Sequence, residues 1–505
     1  GVDTPAGIVA SVDELDLDGL DVSKDDVAEA LAVNPDEWKQ EIPSIEEWFE
    51  FIGPKLPGEL QSQLQNLQGS LDKACPATRH DRRKPSDPSG SGGFSLRSAN
   101  VRRAPAISVL LLDMDSPEII PHYIDGTRTG TVGDAPSDGR TADVYDPNTG
   151  RVQAQVPLAS AAEVRTAVQI AKTAQKQWAA KNPQQRARVM MRFVDLVSQN
   201  MDELATRLSL EHGKTFADAK GDVQRGIEVI EFSIGIPHLL KGEFTEGAGS
   251  GIDVHSLRQP LGVVAGITPF NFPAMIPLWK VGPAVACGNA FILKPSERDP
   301  SVPVMLAELF TQAGLPDGVL QVVHGDKVAV DALLEDPEVK ALGFVGSSDI
   351  AQYIYATAAA NGKRSQCFGG AKNHLVVLPD ADLDEVADAL IGAGYGSAGE
   401  RCMAISVAVP VGEKTADALR EKLAERVREL HVGHSLDPES DYGPLVTAAA
   451  RDRVLDYIEQ GVQAGADLVV DGRDRGADAD GFDGADLSGG FFIGPTLFDN
   501  VTKDM

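Results

Sequence analysis

Val263-Val264-Ala265-Gly266-Ile267-Thr268-Pro269-Phe270-Asn271-Phe272-Pro273 decides the fold. Five apolar residues run without a polar break and stop at a proline-bounded turn. That is the pattern of a strand buried on both faces. Similar apolar runs recur at 291–293, 320–323, 342–345 and 375–378, with helix-length stretches between them. The alternation predicts a mostly parallel α/β sheet. Upstream, Ser160 and Glu163 form a capping-box signature opening a helix that runs to about Ala180. Helical patterns continue to about residue 240, and residues 248–260 read as an extended arm leading into the first strand.

Outward from this region the chain is unlike itself. Its 505 residues suggest about three domains. With 46 Lys+Arg against 75 Asp+Glu the formal charge is −29, which argues against nucleic acid and anionic membranes as partners. Four cysteines without paired spacing (Cys75, Cys287, Cys367, Cys402) speak against disulfides and a metal site, and for a reducing, cytoplasmic setting. No apolar run approaches the roughly 18 residues of a membrane span. Residues 1–71 carry 16 Asp+Glu and three Lys, a net of −13, and two helical patterns. One follows the Ser44/Glu47 capping box; the other repeats Leu60, Leu64, Leu67 and Leu71 at helical spacing. So short an apolar complement points to a tail that packs on something else. Residues 72–117 turn basic, with eight Lys+Arg and two Asp between Lys73 and Arg103. Their Pro/Ser/Gly content predicts a disordered linker.

The chemistry gathers around Gly396-Ser397-Ala398-Gly399-Glu400-Arg401-Cys402-Met403. A thiolate is the reactive form of cysteine, and a neighbouring cation favours it. Cys402 alone combines an adjacent arginine with an approach loop of small residues; Cys287, among small apolar residues, reads as core. Asn271, held between Phe270, Phe272 and Pro273, offers an amide to a developing oxyanion, with the Cys402 N–H as the second donor. Lys294 and Glu297, after the 291–293 run, suit a nucleotide ribose or form a plain ion pair. Phe344-Val345-Gly346-Ser347-Ser348 runs from a strand end into a helix, where backbone N–H groups suit a pyrophosphate or Ser347 is an ordinary cap. Gly394-Tyr395-Gly396-Ser397-Ala398-Gly399 matches G-x-G-x-x-G in letters but follows a helical pattern (383–391) instead of a strand, so it is not a phosphate cradle.

On these motifs, residues 118–505 resemble the aldehyde dehydrogenase superfamily, and within it the branch that acylates coenzyme A from methylmalonate or malonate semialdehyde. The resemblance implies a Rossmann-like NAD-binding domain over 118–370, with the 248–260 arm serving homo-oligomerisation, and an α/β catalytic domain over 371–505. It implies Cys402 as nucleophile and Asn271 as oxyanion donor. It puts Thr268, Phe270, Lys294, Glu297, Arg298 and Ser347 on NAD, and Arg225 and Arg401 on a substrate carboxylate. The general-base glutamate of hydrolytic members stands 34 residues before the nucleophile; here 402 − 34 = 368 is phenylalanine, in Cys367-Phe368-Gly369-Gly370. Without that carboxylate water is poorly activated, and the thioester persists for coenzyme A, with the β-carboxylate lost as bicarbonate. The chain stops at Met505, before the family's Glu-Glu-Ile-Phe-Gly-Pro segment, which reads as a C-terminal truncation. Gly1-Val2-Asp3-Thr4-Pro5 and Glu37-Trp38-Lys39…Ile45-Glu46-Glu47-Trp48-Phe49 resemble the C-terminal tail of GTP-type phosphoenolpyruvate carboxykinases, upstream of which that family's catalytic groups lie. The rival readings are an inactive join of two gene fragments and a carboxykinase-related protein.

Overall fold

The computed structural model describes residues 2–4, 7–9, 58–74, 117–477 and 484–503, with single positions between 24 and 49 and at 482 and 505. It divides into two compact units, Gly1–Ser108 and Val109–Met505. In the first, β1 (Val2–Thr4) pairs antiparallel with β2 (Gly7–Val9). Helix α1 (Gly58–Ala74) carries the expected leucine repeat, with Leu71 sealed and Leu60, Leu64 and Leu67 half-buried. It runs three residues beyond the expected end of the tail. The Ser44/Glu47 box and the basic linker from 75 onward lie outside the described residues.

The second unit opens with β3 (Glu118–Ile119), β4 (His122–Ile124), β5 (Thr127–Thr129), β6 (Thr141–Asp146) and β7 (Arg151–Pro157). Four helices follow: α2 (Ala161–Ala180), α3 (Pro183–Gln199), α4 (Met201–His212) and α5 (Phe216–Ile234), then the single turn α6 (Ile236–Leu239). The capping box at α2 is complete: Glu163 N donates to Ser160 Oγ at 3.2 Å, and Ser160 N to Glu163 Oε2 at 2.9 Å. Where an extended arm is expected, β8 (Phe244–Gly249) and β9 (Ile252–His255) form an antiparallel hairpin exposed along its whole length.

Then the alternation sets in: β10 (Val263–Ile267), α7 (Met275–Ala286), β11 (Ala290–Lys294), α8 (Ser301–Gln312), β12 (Leu320–Val322), α9 (Lys327–Glu335), β13 (Val339–Val345), α10 (Ser348–Ala360) and β14 (Arg364–Phe368). One seven-stranded sheet results, in the order β14-β13-β10-β11-β12-β4-β5, parallel except where β4 and β5 join. Every residue of β10 and β11 is buried. Successive side chains take opposite faces. Thus Val263, Ala265, Ile267, Ala290 and Ile292 pack under α2, α9 and α10, while Val264, Phe291 and Leu293 pack under α3, α5, α7 and α8. Each such aliphatic burial contributes about 1.5–3 kcal/mol, which a charge placed at Val264 would forfeit while adding its own desolvation cost. The sheet order reverses between β10 and β13. In open α/β sheets, the crevice beyond the strand ends at such a reversal is where ligands bind.

The remaining chain forms β15 (Asn373–Val377), α11 (Leu383–Tyr395), β16 (Ile405–Pro410), α12 (Glu413–Glu429), α13 (Ala448–Gln463), β17 (Asp467–Val470) and β18 (Leu497–Asp499). β15 and β16 pair parallel, β17 and β18 antiparallel, and none of the four joins the large sheet. Among the described residues, no helix is long and apolar enough to cross a membrane.

Candidate active site

The crevice at the reversal opens into a cleft of about 1010 Å³. Loops leaving β10, β11, β13 and β14 form one side, and 398–402, Leu445 and the first turns of α13 form the other. It brings together nine of the ten residues expected from the sequence: Thr268, Phe270, Asn271, Lys294, Glu297, Arg298, Ser347, Arg401 and Cys402. Asn271 and Cys402, 131 positions apart (402 − 271) in the chain, line the same space.

The tenth, Arg225, stays outside. It sits on α5 with its side chain 68% exposed, paired with Glu228 at 3.0 Å, and does not line the cleft. Helical i,i+3 spacing supplies that partner locally. Arg401 does line the cleft, but its guanidinium is engaged: Nη2 meets Asp218 Oδ1 at 2.5 Å, and Nη1 donates to Gly392 O at 3.2 Å. It lies flat on Gly396, where an added Cβ would come within 2.8 Å of three guanidinium atoms. Phe368, at the position from which the general base of hydrolytic relatives would face the cleft, does not line it: it is half-exposed, with Lys280 Nζ 5.9 Å from its ring centre, and Gly369, Gly370, Ala371 and Lys372 line the cleft in its stead.

Cys402 is exposed to the cleft at the end of a tight loop. Ser397 and Ala398 take left-handed φ of 53° and 51°, unusual for residues with a Cβ, and a strain that clusters at functional sites. Asn373 Nδ2 donates to the carbonyls of Cys402 (3.0 Å) and Ala404 (2.9 Å), fixing the far side of the loop. The other described cysteines differ: burial pushes the thiols of Cys287 and Cys367 up, keeping them protonated. Cys287, expected in the core, is half-buried at the C-cap of α7 and packs against the core under that helix.

The residues expected on a nucleotide lie at or just beyond strand ends. Lys294 is buried at the end of β11, its Nζ 3.4 Å from Glu297 Oε2. Arg298 stacks over Phe270 at 5.2 Å. Thr268 N donates to Lys294 O at 3.1 Å, and Thr268 Oγ1 is buried with no hydrogen-bond partner among the described residues. Ser347 caps α10 without a side-chain bond to it, so the first N–H groups of a 13-residue helix remain available beside the cleft. The G-x-G-x-x-G match falls at the end of α11 and in a short 3₁₀ turn, following a helix and not a strand, as its context predicts.

Sequence reasoning missed several groups. Glu400, two residues before Cys402, lines the cleft; the residue is half-buried while its Oε2 is sealed with no hydrogen-bond partner among the described residues. Burial raises its carboxyl to about 8, opposed by the Val446 N–H and by Lys214, Arg298 and Arg453. Lys280, threaded past Gly266 and Gly343, is lowered by burial to about 8. Lys214 and Asp222 form a fully buried ion pair behind Asn271. Nothing in the local pattern of these residues separates them from surface charges, since each is recognisable only by what folds over it.

Comparison with known proteins agrees with this geometry. Residues 135–505 match the aldehyde dehydrogenase family model, and residues 1–70 match that of the phosphoenolpyruvate carboxykinase C-terminal P-loop domain. A malonate-semialdehyde dehydrogenase of Pseudomonas aeruginosa is 54% identical over 384 residues, 76% of this chain and 75% of the relative. The mitochondrial acylating methylmalonate-semialdehyde dehydrogenase of Arabidopsis thaliana is 47% identical over 412 residues, 82% of this chain and 65% of that one. Among solved structures, the methylmalonate-semialdehyde dehydrogenase of Oceanimonas doudoroffii superposes with a TM-score of 0.73 at 49% identity, covering 77% of each chain. A Sinorhizobium meliloti protein assigned to the same activity, solved with NAD, gives 0.74 at 59%, also covering 77% of each. With the family model spanning most of its length and the cleft at the sheet reversal, the chain belongs to the aldehyde dehydrogenase family.

Proposed function

We propose that this chain oxidises malonate or methylmalonate semialdehyde through a Cys402 thioester, reducing NAD and passing the acyl group to coenzyme A to give acetyl-CoA or propionyl-CoA. The observation that carries the reading is the convergence of Cys402, Asn271 and the Thr268–Lys294–Glu297–Ser347 group in one cleft. The residues present fit a dinucleotide. A helix start with open N–H groups suits pyrophosphate, and the orphaned Thr268 Oγ1, the Lys294/Glu297 pair and the Arg298–Phe270 stack suit the adenosine half. NAD, when bound, supplies the hydride acceptor.

In this mechanism, Cys402 Sγ attacks the aldehyde carbon. The Asn271 amide and Cys402 N–H donate to the resulting oxyanion, whose collapse expels hydride and leaves an acyl thioester on Sγ. The C–C bond to the β-carboxylate then breaks, releasing carbon dioxide that water hydrates to bicarbonate, and the resulting enolate carbon takes a proton from water; the coenzyme A thiolate attacks the thioester carbon, and Sγ departs. Arg401 is the guanidinium proposed for the substrate carboxylate, which would share it with Asp218. Arg225, paired with Glu228 outside the cleft, is left without a role in this step. The absence of a carboxylate at Phe368 favours coenzyme A over water as acceptor.

We further read 118–370 and 371–505 as the cofactor and catalytic domains, supported by all strands of the large sheet falling before 371. The β8–β9 hairpin, with Phe244, Ile252 and Val254 more than half exposed, is proposed as the arm that pairs homo-oligomer subunits. The unpaired described cysteines support a reducing, cytoplasmic setting. Steady-state NADH formation with malonate semialdehyde, with and without coenzyme A, tests the reading. Turnover should require coenzyme A and yield the acyl-CoA. Rapid coenzyme A-independent release of free acid would overturn the acylating assignment.

A further inference from the structure

Asn271 can serve an oxyanion only if its loop is held still; burial of Phe272, Ala274 and Met275 anchors the loop, but apolar packing alone does not fix the direction of the amide. The loop runs from the end of β10 to α7, whose N-cap is Ala274, with no side-chain capping bond. The missing restraint comes from 57 residues upstream. Gly213, at φ 97°, ends α4, and Thr215 Oγ, accepting from Asp218 N at 3.3 Å, begins α5. Between these caps the chain has a single residue, Lys214, and it is driven inward with its side chain 1% exposed.

There its ammonium is fully engaged. Nζ donates to Asn271 O at 2.8 Å and to Asp222 Oδ2 at 3.1 Å, and sits 4.3 Å over the Phe272 ring. Asp222, its side chain 0% exposed, uses Oδ1 to accept from Met275 N at 2.7 Å, supplying the cap that α7 lacks. One buried pair therefore grips the loop on both sides of the amide, at the carbonyl of 271 and the N–H of 275. A buried ion pair is poor value for stability alone, because desolvation offsets the attraction. Its contacts, however, all converge on one loop.

We propose that Lys214 and Asp222 are positioning residues that set the Asn271 amide for oxyanion stabilisation. The proposal rests on the assignment of Asn271 above. It makes Lys214 matter only when an oxyanion forms. A displacement of about 1 Å can cost on the order of 10²-fold in rate, and loss of an oxyanion donor 10²–10³-fold.

The test compares two reactions of the same sulfur in the full chain. The aldehyde-dependent NADH burst passes through the oxyanion, whereas alkylation of Cys402 by iodoacetamide does not. Lys214→Met should slow the burst by about 10–100-fold and leave the alkylation rate and the titre of reactive Cys402 within about twofold. In an Asn271→Ala background the same change should cost less than about threefold, because the group it positions is gone. If Lys214→Met does not fold, shown by loss of the Cys402 titre, Lys214→Arg keeps the charge, moves the donors and carries the same comparison. Equal losses in burst and alkylation, or full additivity with Asn271→Ala, would overturn the clamp while leaving Asn271 in place. An Asn271→Ala protein with an unchanged burst would overturn the oxyanion assignment and the clamp with it.

Discussion

Replacing Glu400 by glutamine should flatten part of the chain's pH–stability profile. The carboxyl titrates at about 8 in the folded chain because burial disfavours its charged form, against an ordinary 4.5. Between those values the folded chain holds a proton that the unfolded chain has released. Stabilisation fully present below pH 4.5 is therefore lost as pH rises through 8. The slope for one such group is about 1.4 kcal/mol per pH unit, so from pH 6 to 8 the sealed limit is about 2–3 kcal/mol. Glu400 as a residue is only half-buried, and solvent screening reduces this to about 1–2 kcal/mol. Glutamine keeps the shape and an acceptor for the Val446 N–H but has nothing to titrate. For a unit of this length, at about 2 cal/mol/K per residue, the difference corresponds to roughly 1–3 °C in melting temperature. Thermal unfolding in steps from pH 6 to 9 should show the native chain falling by that margin relative to Glu400→Gln. Parallel profiles would mean that the carboxyl is solvated and the burial argument wrong.

Cys402→Ala should abolish NADH formation, whereas Cys287→Ala, a change at the C-cap of α7, should retain turnover and shift only the melting temperature; activity surviving the first would remove the nucleophile assignment. Arg401→Leu should raise KM for acidic semialdehydes about 10–100-fold and for uncharged aldehydes far less, since only the former lose a charge-assisted pair. Equal effects on both would refute the carboxylate role. Gly396→Ala should displace the Arg401 guanidinium, 2.8 Å from the new methyl, and mimic Arg401→Leu in a substrate-class comparison while the protein remains folded by circular dichroism.

The sequence by itself determined the central strands, the opening helix and the order of the motifs. β10 appears at its observed boundaries, Val263–Ile267, because a strand buried on both faces is a continuous apolar run. The α2 start at Ser160 and Glu163 is equally local, since both reciprocal bonds span three residues. β14 escaped the strand series because an edge strand is half-exposed: Arg364–Phe368 opens with three polar residues, buries none of its five, and is a strand only through its pairing with β13. The site divides along the same line. Cys402 and Asn271 announce themselves by residue type and neighbours. Whether Arg225 or Arg401 faces the cleft, and what holds each, depends on Glu228 three residues away in one case and on Asp218, 183 residues away, in the other. Lys214 reaches Asn271 across 57 residues. Periodicity and caps are written within a few residues because a helix or strand satisfies its own backbone locally. A buried charge acquires its partner only when distant elements pack, and there the tertiary structure decided.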